Sequence, residues 1–380
     1  MLSNPSRLII DLRPDVPVGR NIAWAPGLRW REQTLALGGR QFPISWLEIT
    51  PRQAGVRLQP IWGDGSTLTG IQPLPQIAQR WQAAAAINGG FFNRERQLPL
   101  GAIRRDGQWI SGPILNRGVI AWNDQGGFRV GRLSLQHSLV AGGQRLPIND
   151  LDSGYVQAGI ARYTRAWGSA YTPLSGNEIV ATITNNRVAN IQTANSPVAI
   201  PTDGFLLVAR RTNLAGLSEG MPVQVQMQTN PADLEGYPNI LGAGPLLVAS
   251  GQIVLNAAAE QFGAGLDAQL APRSAIGQTA DGRIFLATTH NRVGGAGPSL
   301  PEWAQLMRNL GAVDALNLDG GSSSSLYLGG RLVDRHSVTT ARVHNAIGVF
   351  IQPQAIQPQA TKSQPLTPES VLPTVLPTAP

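Results

Sequence analysis

The sequence predicts an α+β protein: a strand-rich mixed sheet flanked by a few helices, with its functional motifs at strand ends. Three observations predict it. Charged residues are only 14% of the chain while Gly (43) and Pro (29) are abundant, a balance that favours short strands joined by tight turns over long charged helices. Short apolar or alternating segments recur between Gly, Pro and Asn turns. Only two segments carry a clear helical period.

The first helical pattern runs from about Pro75 to Ala86, where Ile77, Ala78, Trp81 and Ala85 share a face and Pro75 suits a first turn. It delivers the chain into Ile87-Asn88-Gly89-Gly90-Phe91-Phe92. The second runs from about Leu300 to Leu310: Ser299 and Glu302 have capping-box spacing, Leu306 and Leu310 line one face, and Gly311 is placed to stop it. It leads into Val313-Asp314-Ala315-Leu316-Asn317-Leu318, a buried-strand pattern. Further strands are read at Trp46 to Ile49, Val119 to Trp122, Ile179 to Ile183, Phe205 to Val208, Val223 to Met227, Leu246 to Val248, Ile284 to Thr288, Leu326 to Leu328 and Ala346 to Ile351.

These elements divide the chain into a partly ordered N-terminal segment (1–45), a main domain (46–351) and a disordered Pro- and Gln-rich tail (352–380). The tail begins with Ile-Gln-Pro-Gln-Ala written twice. Within the main domain, the polar, Gly-broken stretch 137–230 reads as a subdomain or an elaborated set of hairpins.

Composition removes several function classes. There are no cysteines, which excludes disulfides, thiol catalysis and Cys-based zinc sites. The only Lys is Lys362, in the tail, so a P-loop has no lysine. The formal charge of +7 is carried by scattered Arg without a dense basic stripe, which argues against nucleic acid and fits an anionic, phosphorylated substrate better. Met1 to Ile10 has one basic residue and no apolar run of signal-peptide length, and no segment is long enough to span a membrane. The chain is then cytoplasmic or lacks its export segment, and its low charge and polar tail lean towards the periplasm or cell exterior.

Gly216-Leu217-Ser218-Glu219-Gly220 matches a nucleophile-elbow pattern, but a strand rather than a helix follows it, so it reads as a turn. His137, His290, His336 and His344 never fall at metalloprotease spacing. No cofactor is demanded; a divalent metal held by His290 with a carboxylate is one option.

Four segments combine a strand, glycines and polar side chains without evident structural need: Asn88-Gly89-Gly90-Phe91-Phe92, Pro272-Arg273-Ser274-Ala275-Ile276-Gly277, Asn317-Leu318-Asp319-Gly320-Gly321-Ser322-Ser323-Ser324-Ser325, and Arg342-Val343-His344-Asn345-Ala346-Ile347-Gly348. Paired glycines let backbone N–H groups approach a ligand. Strand alternation places Asn317 and Asp319 on one side. The competing reading of Asp319-Gly320 is a hairpin turn followed by a polar loop.

Together with Gly242-Ala243-Gly244-Pro245-Leu246-Leu247, these segments resemble the phosphodiester glycosidase family, which includes the lysosomal enzyme that uncovers mannose 6-phosphate. The resemblance covers roughly Trp46 to Phe350. It implies a mixed sheet carrying the motifs at one end, and hydrolysis of the anomeric C–O bond of a sugar-1-phosphate diester to free sugar and a phosphomonoester. Exopolysaccharide or envelope glycan metabolism is the expected setting. It further implies Asp319, Arg273 and Asn88 as catalytic groups, with Gly89, Gly90, Ser274, Arg292, Asn317, Gly320, Gly321, Ser322 and Asn345 binding substrate. His290-Asn291-Arg292 departs from the family's Asp-Gly-Arg by losing the carboxylate. In the expected mechanism Asp319 activates water or steadies the oxocarbenium-like transition state, Arg273 clamps phosphate, and a second carboxylate comes from Asp314, Glu48, Asp281 or nowhere. The alternatives are a non-catalytic glycan-binding or envelope-assembly protein, or a metal-dependent phosphodiesterase that cuts P–O.

Overall fold

In a computed structural model the described residues are 19–351 apart from Arg52, Ala54, Asp64, Ser66, Val293 and Gly294, with two further short strands at Leu2–Ser3 and Ser6–Arg7. The expected tail, 352–380, lies outside them. Alternation of apolar residues builds most of the rest into sheets. An eight-stranded sheet has the order Gln252–Ile253, Leu246–Ala249, Ala312–Asn317, Arg273–Thr279, Ile284–Thr289, Arg40–Ile49, Leu28–Leu37, Arg20–Ala25. A five-stranded sheet has the order Arg331–Leu332, Leu326–Leu328, Ala85–Asn88, Asn345–Ile351, Val56–Trp62. A second five-stranded sheet contributes Ile103–Arg105, Asn239–Gly242 and Gly118–Trp122 to the same core.

That core lies between the three sheets, where Leu47, Ile276, Leu286 and Leu316 of the first meet Leu58, Ile87 and Ile347 of the second and Ile120, Trp122 and Leu241 of the third. The two helices close the outer faces. Leu300–Asn309 packs Leu300, Trp303, Leu306 and Met307 against Ala275, Ala287 and Ala315 of the large sheet. Burial of each large side chain contributes about 1.5–3 kcal/mol before entropy is counted. Its expected capping box is present: Glu302 N–H donates to the Ser299 side chain, while the Glu302 carboxylate accepts from Ser299 N–H at 2.9 Å. Leu74–Arg80 covers the outer face of the smaller sheet with Leu74, Ile77 and Ala78.

The structure corrects two expectations. The first helix stops at Arg80 instead of reaching Ala86, because Gln82 takes a left-handed φ of 58°. Ala83 N–H then reaches back to Ala78 O at 2.8 Å and Gln82 N–H to Gln79 O at 3.0 Å. This is a Schellman stop, with Gln where Gly is usual. Ala85 therefore starts a strand. The sheets that carry the motifs are also antiparallel, and only the five-stranded sheet within residues 150–210 is mixed. Among the described residues every paired strand runs antiparallel except Asp150–Leu151 beside Gly159–Tyr163. Two helices supply too few long crossovers for parallel pairing, and the fold is mainly β.

Residues 134–230 form a three-stranded and a five-stranded sheet with their own apolar clusters. Here Arg210 is buried on Glu178 at 2.8 Å and on the hydroxyls of Tyr163 and Tyr171, which commits that cation to the fold. Gly216–Gly220 is a loop followed by the strand Val223–Asn230, as the sequence indicated.

Candidate active site

Sheet register brings the four polar segments together. Asn88 ends one strand and pairs with Ala346, next to Asn345 at the start of its neighbour. Arg273 starts a strand of the large sheet, and Asn317 ends the adjacent strand opposite Ala275. Backbone bonds stitch the two sheet ends: Leu318 N–H to Ser274 O at 2.9 Å, Asp319 N–H to Gly89 O at 2.9 Å, and Gly321 N–H to Pro272 O at 2.8 Å.

Asn88 is the knot. It is fully buried; its Nδ2 donates to Asp319 O at 2.7 Å, and its Oδ1 accepts from Ser274 Oγ at 2.8 Å and Ser325 N–H at 3.1 Å. One amide thus holds both ends of the 319–325 turn. Asn88→Ala leaves two buried groups and the half-buried Asp319 carbonyl unpaired and should cost about 3 kcal/mol, read as a lowered urea midpoint at unchanged slope.

Asn345 is held in a relay. His344 Nε2 lies 2.6 Å from Leu68 O, and His344 Nδ1 lies 3.3 Å from Asn345 Nδ2. Burial pushes this imidazole down to about 4, so it is neutral near pH 7, with its proton on Nε2 and Nδ1 free to accept. Asn345 Oδ1 therefore faces Gly90 N–H, at 2.7 Å. The glycines here are obligatory: a Cβ on Gly89 would stand 2.1 Å from Asn345 Oδ1, and one on Gly90 2.1 Å from Gly242 O.

The strand ends at Asn317, so alternation does not extend to Asp319. Asn317 Nδ2 donates to Gly244 O and Leu318 O, both at 2.9 Å, whereas the Asp319 carboxyl faces its own turn. Desolvation pushes that carboxyl up to about 6, against the opposing pull of the Ser323 hydroxyl, the Arg94 charge and Gly320 N–H. Ser323 Oγ has no partner in full hydrogen-bonding geometry. Neither does Ser324 Oγ nor Asn317 Oδ1, so two buried oxygens flanking the turn are without a hydrogen bond and Ser323 Oγ has only the Asp319 carboxyl beside it.

Arg273 is 3% exposed and makes no ion pair among the described residues. Its Nε donates to Pro298 O at 3.2 Å and its Nη2 to Gln269 O. Nη1 lies beside Gly320, 3.8 Å from where a Cβ would be. Burial lowers this guanidinium to about 10, so it stays charged at neutral pH. Ser322 is exposed and receives Arg94 Nη2 at 3.5 Å. Gly321 takes a left-handed φ of 64° at the point where its N–H bonds Pro272 O. Arg292 packs on Gly295, its Nε buried and unpartnered.

Sequence patterns do not reveal several neighbours. His290 Nε2 lies 2.8 Å from Asp334 Oδ2, and Asp334 Oδ1 accepts from Leu326 N–H at 2.9 Å. A carboxylate thus backs His290 from a loop that carries no motif. Arg335 Nη1 donates to Ser324 O at 3.1 Å and pins the same turn. Of the second carboxylates considered, Glu48 and Asp281 are paired with Arg283 at the opposite end of the sheet, and Asp314 accepts from Ser250 N–H at 3.0 Å. None reaches the turn. No group of three or more His, Asp or Glu suited to a metal occurs among the described residues, where no helix is long and apolar enough to cross a membrane.

Comparison with known proteins gives one family and a set of folds. Residues 177–350 match the phosphodiester glycosidase family, a stretch that includes Arg273, Asp319 and Asn345 but not Asn88. A hypothetical protein from Synechocystis is 48% identical over 90% of this chain, with a TM-score of 0.87; the chain spans 65% of that protein's length. A Burkholderia pseudomallei protein described as exported shares the fold at 21% identity and TM-score 0.66, over 82% of this chain and 74% of that one. The catalytic domain of zebrafish N-acetylglucosamine-1-phosphodiester alpha-N-acetylglucosaminidase, described as auto-inhibited by its pro-peptide, is 13% identical with a TM-score of 0.45 over 88% of both chains, too distant to carry an argument. No curated protein matches the chain.

Proposed function

We propose, for a chain whose residues 177–350 match the phosphodiester glycosidase family, hydrolysis of the glycosidic C–O bond of a sugar-1-phosphate diester, yielding free sugar and a phosphomonoester. The observation that carries this reading is the carboxylate of Asp319, a half-buried residue, in the same turn against which a buried guanidinium without an ion pair, Arg273, is laid. Such a pair can act on an anomeric carbon and on the phosphate leaving from it. Exopolysaccharide or envelope glycan metabolism is the setting we propose.

In this reading Asp319 as carboxylate deprotonates the attacking water or steadies the oxocarbenium-like transition state, and Arg273 Nη1 meets a phosphate oxygen. Asn88 acts as a positioning residue, since both ends of its amide are engaged within the protein. Gly320 and Gly321 let substrate approach the backbone, and Ser322 with Arg94 forms the exposed rim. His290 is an imidazole oriented by the Asp334 carboxylate, which itself accepts from Leu326 N–H just beyond the turn. Phosphate is a good leaving group, so this reaction asks less of a general acid than ordinary glycoside hydrolysis.

The test is hydrolysis of a panel of glycosyl phosphodiesters in ¹⁸O-water with products identified by mass spectrometry. Label in the free sugar supports C–O cleavage. Label in a phosphate, with sugar phosphate released, means P–O cleavage, and saturable binding without turnover means a glycan-binding role. Arg94→Ala gives a second check. Its charge favours ionised Asp319, so its removal should move the acid limb of kcat/KM to higher pH while the plateau changes by less than about threefold.

A further inference from the structure

We propose that the open cleft bounded by Phe91, Phe92, Leu100, Phe262 and Arg117 is the aglycone subsite, and that it takes a flat apolar group bearing an acidic substituent. The proposal rests on the phosphodiester reading of the neighbouring site and adds the side of the substrate that site does not address. The cleft has a volume of about 600 Å³, enough for a small organic group.

Its position follows from the chain. Phe91 directly follows Gly90, whose N–H is fixed by Asn345, and Gln269, at the cleft's edge, uses its carbonyl to hold the Arg273 guanidinium. The cleft therefore adjoins the candidate phosphate site through Gln269, whose carbonyl holds Arg273, and starts one residue after Gly90. A phosphate on Arg273 with its sugar toward Asp319 and Ser322 has its second ester oxygen directed at this wall.

Its lining selects the ligand. Phe91 and Phe262 meet at 5.3 Å between ring centroids, tilted by 58°, and the Arg117 guanidinium lies 4.1 Å from the Phe262 centroid and 5.9 Å from that of Phe91. Arg117 has no ion pair among the described residues; only its Nε is engaged, with Glu260 O at 3.4 Å. The Glu260 carboxylate is taken up by Gly118 N–H at 2.7 Å, Leu246 N–H at 2.9 Å and Arg132 at 3.8 Å. A cation on an aromatic wall with no ion pair complements an anion attached to a flat group. A sugar is a poorer fit, because its several hydroxyls need partners and the cleft offers only Arg117 and the Gln269 amide as polar side chains.

The experiment is calorimetric titration of the full chain with three phosphomonoesters: methyl phosphate, phenyl phosphate and 4-carboxyphenyl phosphate. The expected order is methyl weakest, phenyl about tenfold tighter, and carboxyphenyl several-fold tighter again. Phe262→Ala should erase the phenyl preference and leave methyl phosphate binding unchanged, which also shows that the variant is folded. Arg117→Gln should remove only the carboxyl increment. Equal affinity for methyl and phenyl phosphate, a preference that survives Phe262→Ala, or no binding of any of the three overturns the subsite. A phenyl preference without release of free sugar from any diester leaves the subsite standing and removes the hydrolytic reading. Turnover indifferent to the aglycone does the reverse.

Discussion

Asp319→Asn lowers kcat/KM for free-sugar release by about 10³-fold, within the range a positioned acid–base group supplies, while phosphomonoester affinity changes by less than about threefold. The carboxyl is pushed up to about 6 by desolvation, so a wild-type group acting as carboxylate is protonated and idle below that pH and active above it. The kcat/KM profile should therefore rise through about pH 6 and level off. The variant's residual rate should show no such limb. Stability moves the other way. A carboxyl raised from its unfolded value is accommodated best when protonated, so its favourable contribution is complete below about pH 4 and is lost as pH rises through about 6. At pH 8 the wild type bears the cost of a desolvated charge and the neutral amide does not, so Asp319→Asn should melt no lower than wild type there. A variant that loses activity and also melts several degrees lower at pH 8 would point to a structural role instead. Retention of a tenth or more of the wild-type rate would remove Asp319 from the chemistry.

The parts of this molecule that were legible in its sequence are those decided locally. The capping box at Ser299 and Glu302, the strand at Leu326–Leu328 and the turn at Gly216–Gly220 each follow from residues within a few positions of one another. The early end of the first helix was not legible. Gln82 in a left-handed conformation leaves no glycine signature, and the hydrogen bond of the Trp81 indole to Trp62 O at 2.8 Å, which helps fix the turn, is tertiary. The same division holds at the site. Glycine pairs announced the close approaches at Gly89 and Gly90, because no other residue tolerates a Cβ position 2.1 Å from an oxygen. Asn88 and Asn345 were recognisable as polar groups at strand ends, but what they bind across the fold was not, since Ser274, Asp319 and Ser325 lie 186 to 237 residues from Asn88 and Gly90 lies 255 from Asn345. Asp334 is the clearest case. Nothing in Leu332-Val333-Asp334-Arg335 marks it, and only the packing of two strands brings it to His290, 44 residues earlier.

Arg273→Lys is expected to lower kcat/KM by about 10²-fold or more and to weaken inorganic phosphate, a product-like inhibitor, by a similar factor. The argument is one of geometry rather than charge. The guanidinium spends Nε on Pro298 O and Nη2 on Gln269 O, and these two bonds leave Nη1 beside Gly320. An ammonium has a single nitrogen at the end of a flexible stem. It can keep the positive charge but cannot hold two carbonyls 29 positions apart in sequence and still present a donor to phosphate. The loss should therefore fall on both phosphate affinity and rate, since a misplaced leaving group is also poorly stabilised as charge develops on it. Unpairing the buried Pro298 carbonyl should also lower the melting temperature by a few degrees. Guanidinium rescue separates these effects: in Arg273→Ala, added guanidinium at millimolar concentration should restore part of the turnover and saturate. A lysine variant that keeps kcat/KM within threefold of wild type would show that a point charge suffices and that the fork of Arg273 serves the fold alone.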